Sequence, residues 1–584
     1  MPEPSGTLHL VSHLPAGGGT CALYAPGARP PPGWHAADIR ERCHRHQDEW
    51  RVALASWHAG TMEVASVASA WAWLLPGSRI HVWQPQIRPL LFALGLHDFF
   101  RDHPDTEVWA CGCPPEVADY IREFTNGALR IVEHTHRSQA SGAPGPLRDT
   151  LSILRRLPMR ARAPILPAGV DLVACSLALS ERSVRERGDH FFGRALDDGV
   201  VSVHWLYHLV GSGERAAIEA ALRQTGRSVT WVHDCVGWGG ALALLLTMRS
   251  VRRRMRSVVD RIPPLRIAGV TSQAFARRYA DELLVRGALL GELLVFRATL
   301  AVLRAARPPA LCYPYEEKGM EHGILLGVQT AATGCRTIGF AHAAYASGYL
   351  YLQTPPSNTS RPWPQVIASA GRGFGAWLQR EFGRQDAVTF VGSPRWTPAP
   401  PTALDHVPGR PLRVLVLASF AYELQVMADW IDAQPDLFDG MTVTVRPNPK
   451  DWRREQVAAL QSLRGSAVAI DGESSLEAQI DACDVAIFCA TSAVAEAIWR
   501  GRIAVYAEWS DLWATNPTSG KEGEQAVPAC ATAGDLRHAL LEIGRMDRAA
   551  YARAVDAQRE VAAQIYAPFD RARFRELVRQ PVPA

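Results

Sequence analysis

The stretch Arg413-Val-Leu-Val-Leu-Ala-Ser419, with its later counterparts Thr442-Val-Thr-Val-Arg-Pro-Asn-Pro-Lys450 and Val485-Ala-Ile-Phe-Cys-Ala-Thr-Ser492, decides the fold. Each begins as a short β-branched, apolar strand and ends in a polar turn, and a helix-period segment follows each one. Continuous apolar strands alternating with helices mark a parallel sheet covered on both faces. In such sheets ligands bind outside the carboxyl ends of the strands, where helix N-termini offer free N–H groups and a positive dipole end. The exits at Ser419, at Arg446, Asn448 and Lys450, and at Thr491 and Ser492 therefore outline one wall of a nucleotide or phosphate site. Arg446 forks onto phosphate oxygens and Lys450 adds a point charge. The hydroxyls of Thr491 and Ser492 either bind a phosphate or cap the helix that they open.

Working towards the amino end, the proline-rich passage 393–411 reads as a linker. Ahead of it stands a compact βαβ unit: a strand at 310–313, a helix at about 318–332 stopped by Gly334, and a strand at 336–340. Such a connection leaves both strands parallel, with their carboxyl ends on one edge. Glu316 and Glu321 sit where the first strand becomes helix, and His342 emerges after the second. Two carboxylates and an imidazole on one sheet edge are a candidate acid, base or nucleophile set. First-turn glutamates also complement the helix dipole, and for Glu317 that reading is preferred.

Further back, strands at about 107–109, 129–132, 171–176, 200–207 and 228–232 alternate with helices at 191–198, 214–225, 239–259 and 273–306. A small-residue loop at 138–146 marks a possible subdivision. The expected fold class is α/β, with two Rossmann-like domains and an interdomain cleft. The domains are 1–393 on the acceptor side and 412–584 on the nucleotide side, joined by 394–411. A final helix at about 547–565 packs back on the first domain. The 584 residues support more than one core. A net charge of +4 is small for this length and gives no support for nucleic-acid binding.

The 11 cysteines lack metal-ligand spacing. With no secretory leader read at Met1, they are expected as reduced thiols in a cytoplasmic protein. Histidines at 35, 44 and 46 beside Cys43 are read as local or solvated groups rather than ligands, and no metal or cofactor is expected. No apolar run reaches the length of a membrane span. The run 238–248 leads into Arg249, Arg252, Arg253, Arg254 and Arg256. That pattern suits peripheral contact with anionic lipid. A buried helix with a solvated basic end reads the same way and is the commoner case.

The order of these elements resembles the GT-B glycosyltransferases of bacterial surface-carbohydrate assembly, including those that use CMP-activated Kdo and sialic acids. That group carries His-Pro after a strand of its second domain and a Ser/Thr pair opening a later helix. Here Arg446-Pro447-Asn448-Pro449 and Thr491-Ser492 stand in those places, with Asn448 where the histidine would be. The βαβ unit is also similar to a capsule and lipopolysaccharide biosynthesis family through Tyr313-Pro314-Tyr315-Glu316, Glu321 and Gly339-Phe340-Ala341-His342. Phe192-Gly193, Gly199 and His204-Trp205-Leu206 match an upstream part of the same pattern. The resemblance implies a nucleotide-sugar donor, a glycan or lipid-linked glycan acceptor, and catalysis by Glu316, Glu321 and His342. A sugar-nucleotide epimerase, a pyruvyl-type transferase and a non-catalytic assembly partner are the alternatives. Asp197-Asp198-Gly199 has the acid-acid-glycine form of bacterial sialyltransferases, yet it also fits a helix closing on glycine. Asp234, another acid at a sheet edge, is a weaker candidate.

Overall fold

In a computed structural model the protein is described at residues 7–11, 19–24, 32–76, 84, 86–111, 113–124, 130–132, 150–151, 153–178, 181, 184–185, 188–197, 199, 201–209, 215–287, 289–316, 318–342, 361–382, 388–394, 408–448 and 468–580. The expected α/β class is observed. Three parallel sheets follow one another along the chain.

The first sheet holds β1 (Thr7–Val11), β2 (Gly19–Leu23), β3 (Trp34–Ala36), β4 (Val108–Cys111) and β5 (Arg130–Val132), in the order β3-β2-β4-β1-β5. Helices Ile39–Ala68, Ile87–Asp102 and Pro115–Phe124 accompany it.

The second sheet opens with β6 (Leu172–Ala178), β7 (Val203–Leu209) and β8 (Ser228–Trp231). An antiparallel hairpin, β9 (Leu265–Ile267) and β10 (Val270–Ser272), and the helices around it intervene. The sheet resumes with β11 (Ala310–Pro314), β12 (Arg336–Ala341), β13 (Val366–Ser369) and β14 (Val388–Phe390), giving the order β14-β13-β12-β11-β6-β7-β8. Every residue of β11 and β12 is buried, as expected of strands covered on both faces.

The third sheet holds β15 (Arg413–Ala418), β16 (Thr442–Pro447), β17 (Val468–Ile470), β18 (Val485–Phe488), β19 (Ile503–Ala507) and β20 (Ala529–Cys530), in the order β17-β16-β15-β18-β19-β20. The second and third sheets thus share one topology. Each runs outward from its first strand, returns to the other side of that strand, and runs outward again. The crevice where the order reverses is where open α/β sheets bind ligands. It lies between β6 and β11 in the second sheet and between β15 and β18 in the third.

Two helical expectations give way. Residues 190–196 form turns rather than a helix, because the Asp189 carboxylate accepts the N–H groups of Phe191 and Phe192, and Gly188 and Gly193 take positive φ. The stretch expected as one helix over 273–306 is broken into Gln273–Tyr279, a π-helical turn Ala280–Val285, and Leu290–Ala306. The break falls at Gly287, where a Cβ would meet the carbonyl oxygen of Leu283 at 2.4 Å and the ring of Pro76.

Helix Arg548–Ile565 does pack back on the second sheet. A Cβ on Gly371 would lie 2.3 Å from the carbonyl oxygens of Gln564 and Ile565. The crossing is pinned by Ser393 N–H to Ala567 O and by Asp570 N–H to Val391 O. The first sheet's helices meet the third sheet at its 508–514 loop. There Arg88 forks onto Asp511, the His44 ring bonds the Asp511 carbonyl at 2.7 Å, and Gln47 accepts the Ala514 N–H at 3.1 Å. Leu512 and Trp513 complete this contact by entering the apolar core beneath the first sheet.

Candidate functional site

Where β11 ends, Pro314 cannot donate a ladder bond, and the chain turns through Tyr315, whose N–H bonds Phe340 O on β12. Helix Gly319–Ala331 follows without a side-chain cap at Lys318. Its start is held from inside: Glu321, 1% exposed, turns back and accepts the Glu316 N–H at 2.8 Å. That bond fixes the Glu316 backbone at the strand exit. The Glu316 carboxylate is then shared. One oxygen lies 3.3 Å from His342 Nε2, and the other meets the Lys318 ammonium. His342 is nearly buried, and the Phe191 ring meets it edge-on at 4.6 Å. The three residues expected to act together are therefore brought together, beside the reversal point of the second sheet.

The helix bearing Glu321 needs close neighbours. A Cβ on Gly319 would lie 2.4 Å from Leu74 O, so only glycine lets the 70–74 segment approach. His322 Nδ1 contacts Trp73 O at 2.6 Å from the same helix. Glu292, at the first turn of Leu290–Ala306, faces Gly319, and burial pushes its carboxyl up to about 7.

On the third sheet, Ser419 and Ala490 stand at the exits flanking the reversal between β15 and β18. Both are gathered by a residue that the sequence did not single out. Glu423, 1% exposed, accepts the Ser419 N–H at 2.7 Å and bonds the N–H groups of Phe420 and Ala490. Burial outweighs these bonds and pushes its carboxyl up to about 8. Glu423 and Glu321 play the same part in the two sheets, each a buried first-turn glutamate holding the strand exit before it.

The remaining expected contacts are distributed. Thr491 Oγ1 accepts the Ala493 N–H at 3.2 Å, which is a capping role. Ser492 Oγ pairs with Tyr566 Oη at 2.7 Å, at the end of the crossing helix. Arg446 Nη1 donates to Ser474 O and to Gln479 Oε1, both at 2.6 Å, beside the β17 exit. Asn448 is half-buried at the end of β16, and Lys450 lies outside the described residues.

The weaker candidates are held by neighbouring side chains. Asp197 is forked by Arg227 at 2.7 and 2.6 Å, and that guanidinium covers the Trp205 ring; Asp198 lies outside the described residues. Asp234 is forked by Arg215 at 2.9 and 2.6 Å. Cys43 is buried, and His46 stacks on Trp50. Among the described residues no group of three His, Cys, Asp or Glu side chains is placed to hold a metal ion. Sequence reasoning also missed His208, near the end of β7, and His233, just after β8, which stack at 5.3 Å. Burial lowers both imidazoles, to about 3 and about 4.

No protein-family model matches the chain, and no curated protein matches it. Solved structures do resemble it at low identity. A glycosyltransferase of kitacinnamycin is 13% identical with a TM-score of 0.39, covering 71% of this chain and 100% of its own. A UDP-GlcNAc 2-epimerase from Neisseria meningitidis bound to UDP-GlcNAc is 7% identical with a TM-score of 0.40, covering 70% and 99%. The HepE protein of Anabaena in complex with UDP and glucose is 10% identical with a TM-score of 0.41, covering 70% and 98%.

Proposed function

We propose that this chain is a metal-independent glycosyltransferase of the GT-B type, moving a sugar from a nucleotide donor to a glycan or lipid-linked glycan acceptor in surface-polysaccharide assembly. The observation that carries the reading is the Glu316–His342 pair, a carboxylate 3.3 Å from an imidazole beside the reversal point of a parallel sheet. Two sheets of the same topology, tied by the crossing helix Arg548–Ile565, supply the two halves of a donor–acceptor cleft. Residues 1–393 form the acceptor side and 412–584 the donor side.

In this reading His342 takes the proton from the acceptor hydroxyl. Glu316 orients the imidazole and offsets the charge it gains, and Lys318 pairs with the other carboxylate oxygen. Glu321 acts as a positioning residue through the Glu316 N–H. On the donor side the backbone around Ser419 and Ala490, ordered by Glu423, faces the phosphates, and Arg446, Asn448, Lys450, Thr491 and Ser492 are the residues assigned to the donor. A donor of the CMP-linked Kdo or sialic acid type is the finer form of the proposal. Closure of the two halves excludes water and protects the donor from hydrolysis.

The test is a thermal-shift series with CMP, UDP, GDP and dTDP, followed by transfer assays with the sugar nucleotide that stabilises. A rise with one nucleotide, and transfer lost in His342→Ala, is expected. No rise with any nucleotide would sink the reading. Conversion of the sugar nucleotide without any acceptor would replace it with an epimerase.

A further inference from the structure

The helix Trp238–Arg256 buries Ala241, Leu244, Met248, Val251 and Met255 at the 3–4 spacing of a core-facing stripe. Its opposite face is also apolar. Trp238 is 45% exposed, Leu242 61% and Leu246 62%. At 3.6 residues per turn these three, with Arg249 and Arg253, fall within an arc of about 80°. Single exposed leucines are ordinary, but three large apolar side chains aligned on one helix are a surface in need of a partner.

The charge around that stripe says what the partner is. The helix has no carboxylate along its 19 residues. Among the described residues Arg249, Arg253, Arg254 and Arg256 form no ion pair. Beside the N-terminal turn a cavity of about 500 Å³ is lined by Met159, Arg160, Gly237, Gly239, Arg297 and Arg304. Its three arginines likewise have no carboxylate partner among the described residues, and Met159 is 80% exposed. A second copy docked face to face would set these basic rims against each other. A spanning role is excluded among the described residues, where no helix is long and apolar enough to cross a membrane.

We propose that this face lies on an anionic lipid bilayer. Trp238, Leu242 and Leu246 enter the boundary between headgroups and acyl chains, and Arg249, Arg253 and Arg256 lie against lipid phosphates. The neighbouring arginine-lined cavity receives a headgroup. This inference does not rest on the transfer reaction, because it uses none of the residues assigned to the cleft.

The experiment is co-sedimentation of the full chain with vesicles of phosphatidylcholine alone and of phosphatidylcholine mixed with phosphatidylglycerol. Binding to the mixed vesicles only, weakened by salt and unaffected by inorganic phosphate at matched ionic strength, is expected. Arg249→Gln with Arg253→Gln lowers vesicle affinity by roughly 30-fold. Leu242→Ser with Leu246→Ser lowers it by about tenfold or more. Both pairs are exposed, so melting temperature stays at the parent value. The proposal is overturned if the parent chain does not sediment with mixed vesicles, or if both double variants sediment as the parent does. It is equally overturned if the parent is a dimer without lipid that the leucine variant makes monomeric.

Discussion

Arg88 forks onto Asp511 with Nε to Oδ2 at 2.6 Å and Nη2 to Oδ1 at 3.1 Å, and the same guanidinium lies over the Tyr24 ring at 4.1 Å. The pair joins a helix of the first sheet's layer to the loop after β19. Both side chains are about one-fifth exposed, so solvent screens the pair only in part. Arg88→Met should therefore lower unfolding free energy by about 2 kcal/mol, because it leaves Asp511 without its fork. Asp511→Asn should cost less, and the two losses should not add. Urea unfolding of the two variants and their combination reads this out; fully additive losses would show that the pair does not tie the layers together.

For the Glu316–His342 pair, His342→Ala and Glu316→Gln should each lower kcat by roughly 100- to 10,000-fold with little change in melting temperature. Glu321→Gln keeps an acceptor for the Glu316 N–H and should retain most activity. Glu321→Ala removes that acceptor, so it should lose activity together with about 1 kcal/mol of stability. If Glu321→Gln is as inactive as Glu316→Gln, then Glu321 touches substrate itself rather than holding Glu316.

Glu423 predicts a loss of stability as pH rises from about 5 to about 8. Burial raises its folded pKa to about 8 from an ordinary 4.5. The folded chain therefore keeps a proton that the unfolded chain releases. Its stabilising contribution is complete below about pH 4.5 and falls as pH rises through about 8. Glu423→Gln keeps an acceptor for the Ser419 N–H and has no proton to lose. The parent should lose more unfolding free energy than this variant between about pH 5 and pH 8. Parallel pH profiles would contradict the raised value.

Ser492 and Tyr566 share one hydrogen bond between the third sheet and the chain that crosses back. Tyr566→Phe and Ser492→Ala should each cost about 1 kcal/mol, with a coupling of similar size in the double variant. Should Ser492 also contact the donor, Ser492→Ala raises the donor KM while Tyr566→Phe leaves it unchanged. Equal effects of the two variants on KM would assign Ser492 to the domain crossing alone.

Much of the fold was legible because its signals are local. β11, β12, β15, β16 and β18 lie where apolar β-branched runs end in polar turns. The expected approach of Glu316, Glu321 and His342 followed from one βαβ unit whose parallel strands leave no choice of edge. The long helix over 273–306 was misread because its periodicity is continuous, while the break is imposed by Pro76 packing against Gly287 from elsewhere in the chain. Glu423 escaped notice because a glutamate in a first helical turn is ordinary until its burial is known.

The amino-acid sequence by itself determined the strands of the βαβ unit and of the third sheet's core, and which polar residues stand at their exits, since these depend on neighbours within a few residues. Tertiary structure alone decided which exits adjoin, because strand order is chosen by long-range pairing of faces that all look equally apolar. It also decided which polar groups are engaged by the scaffold. Arg446 is taken up by Gln479, Ser492 by Tyr566 and Thr491 by its own helix, while Glu316 and His342 face each other across two strands. Partner choice of that kind is a property of packing, and no local pattern carries it.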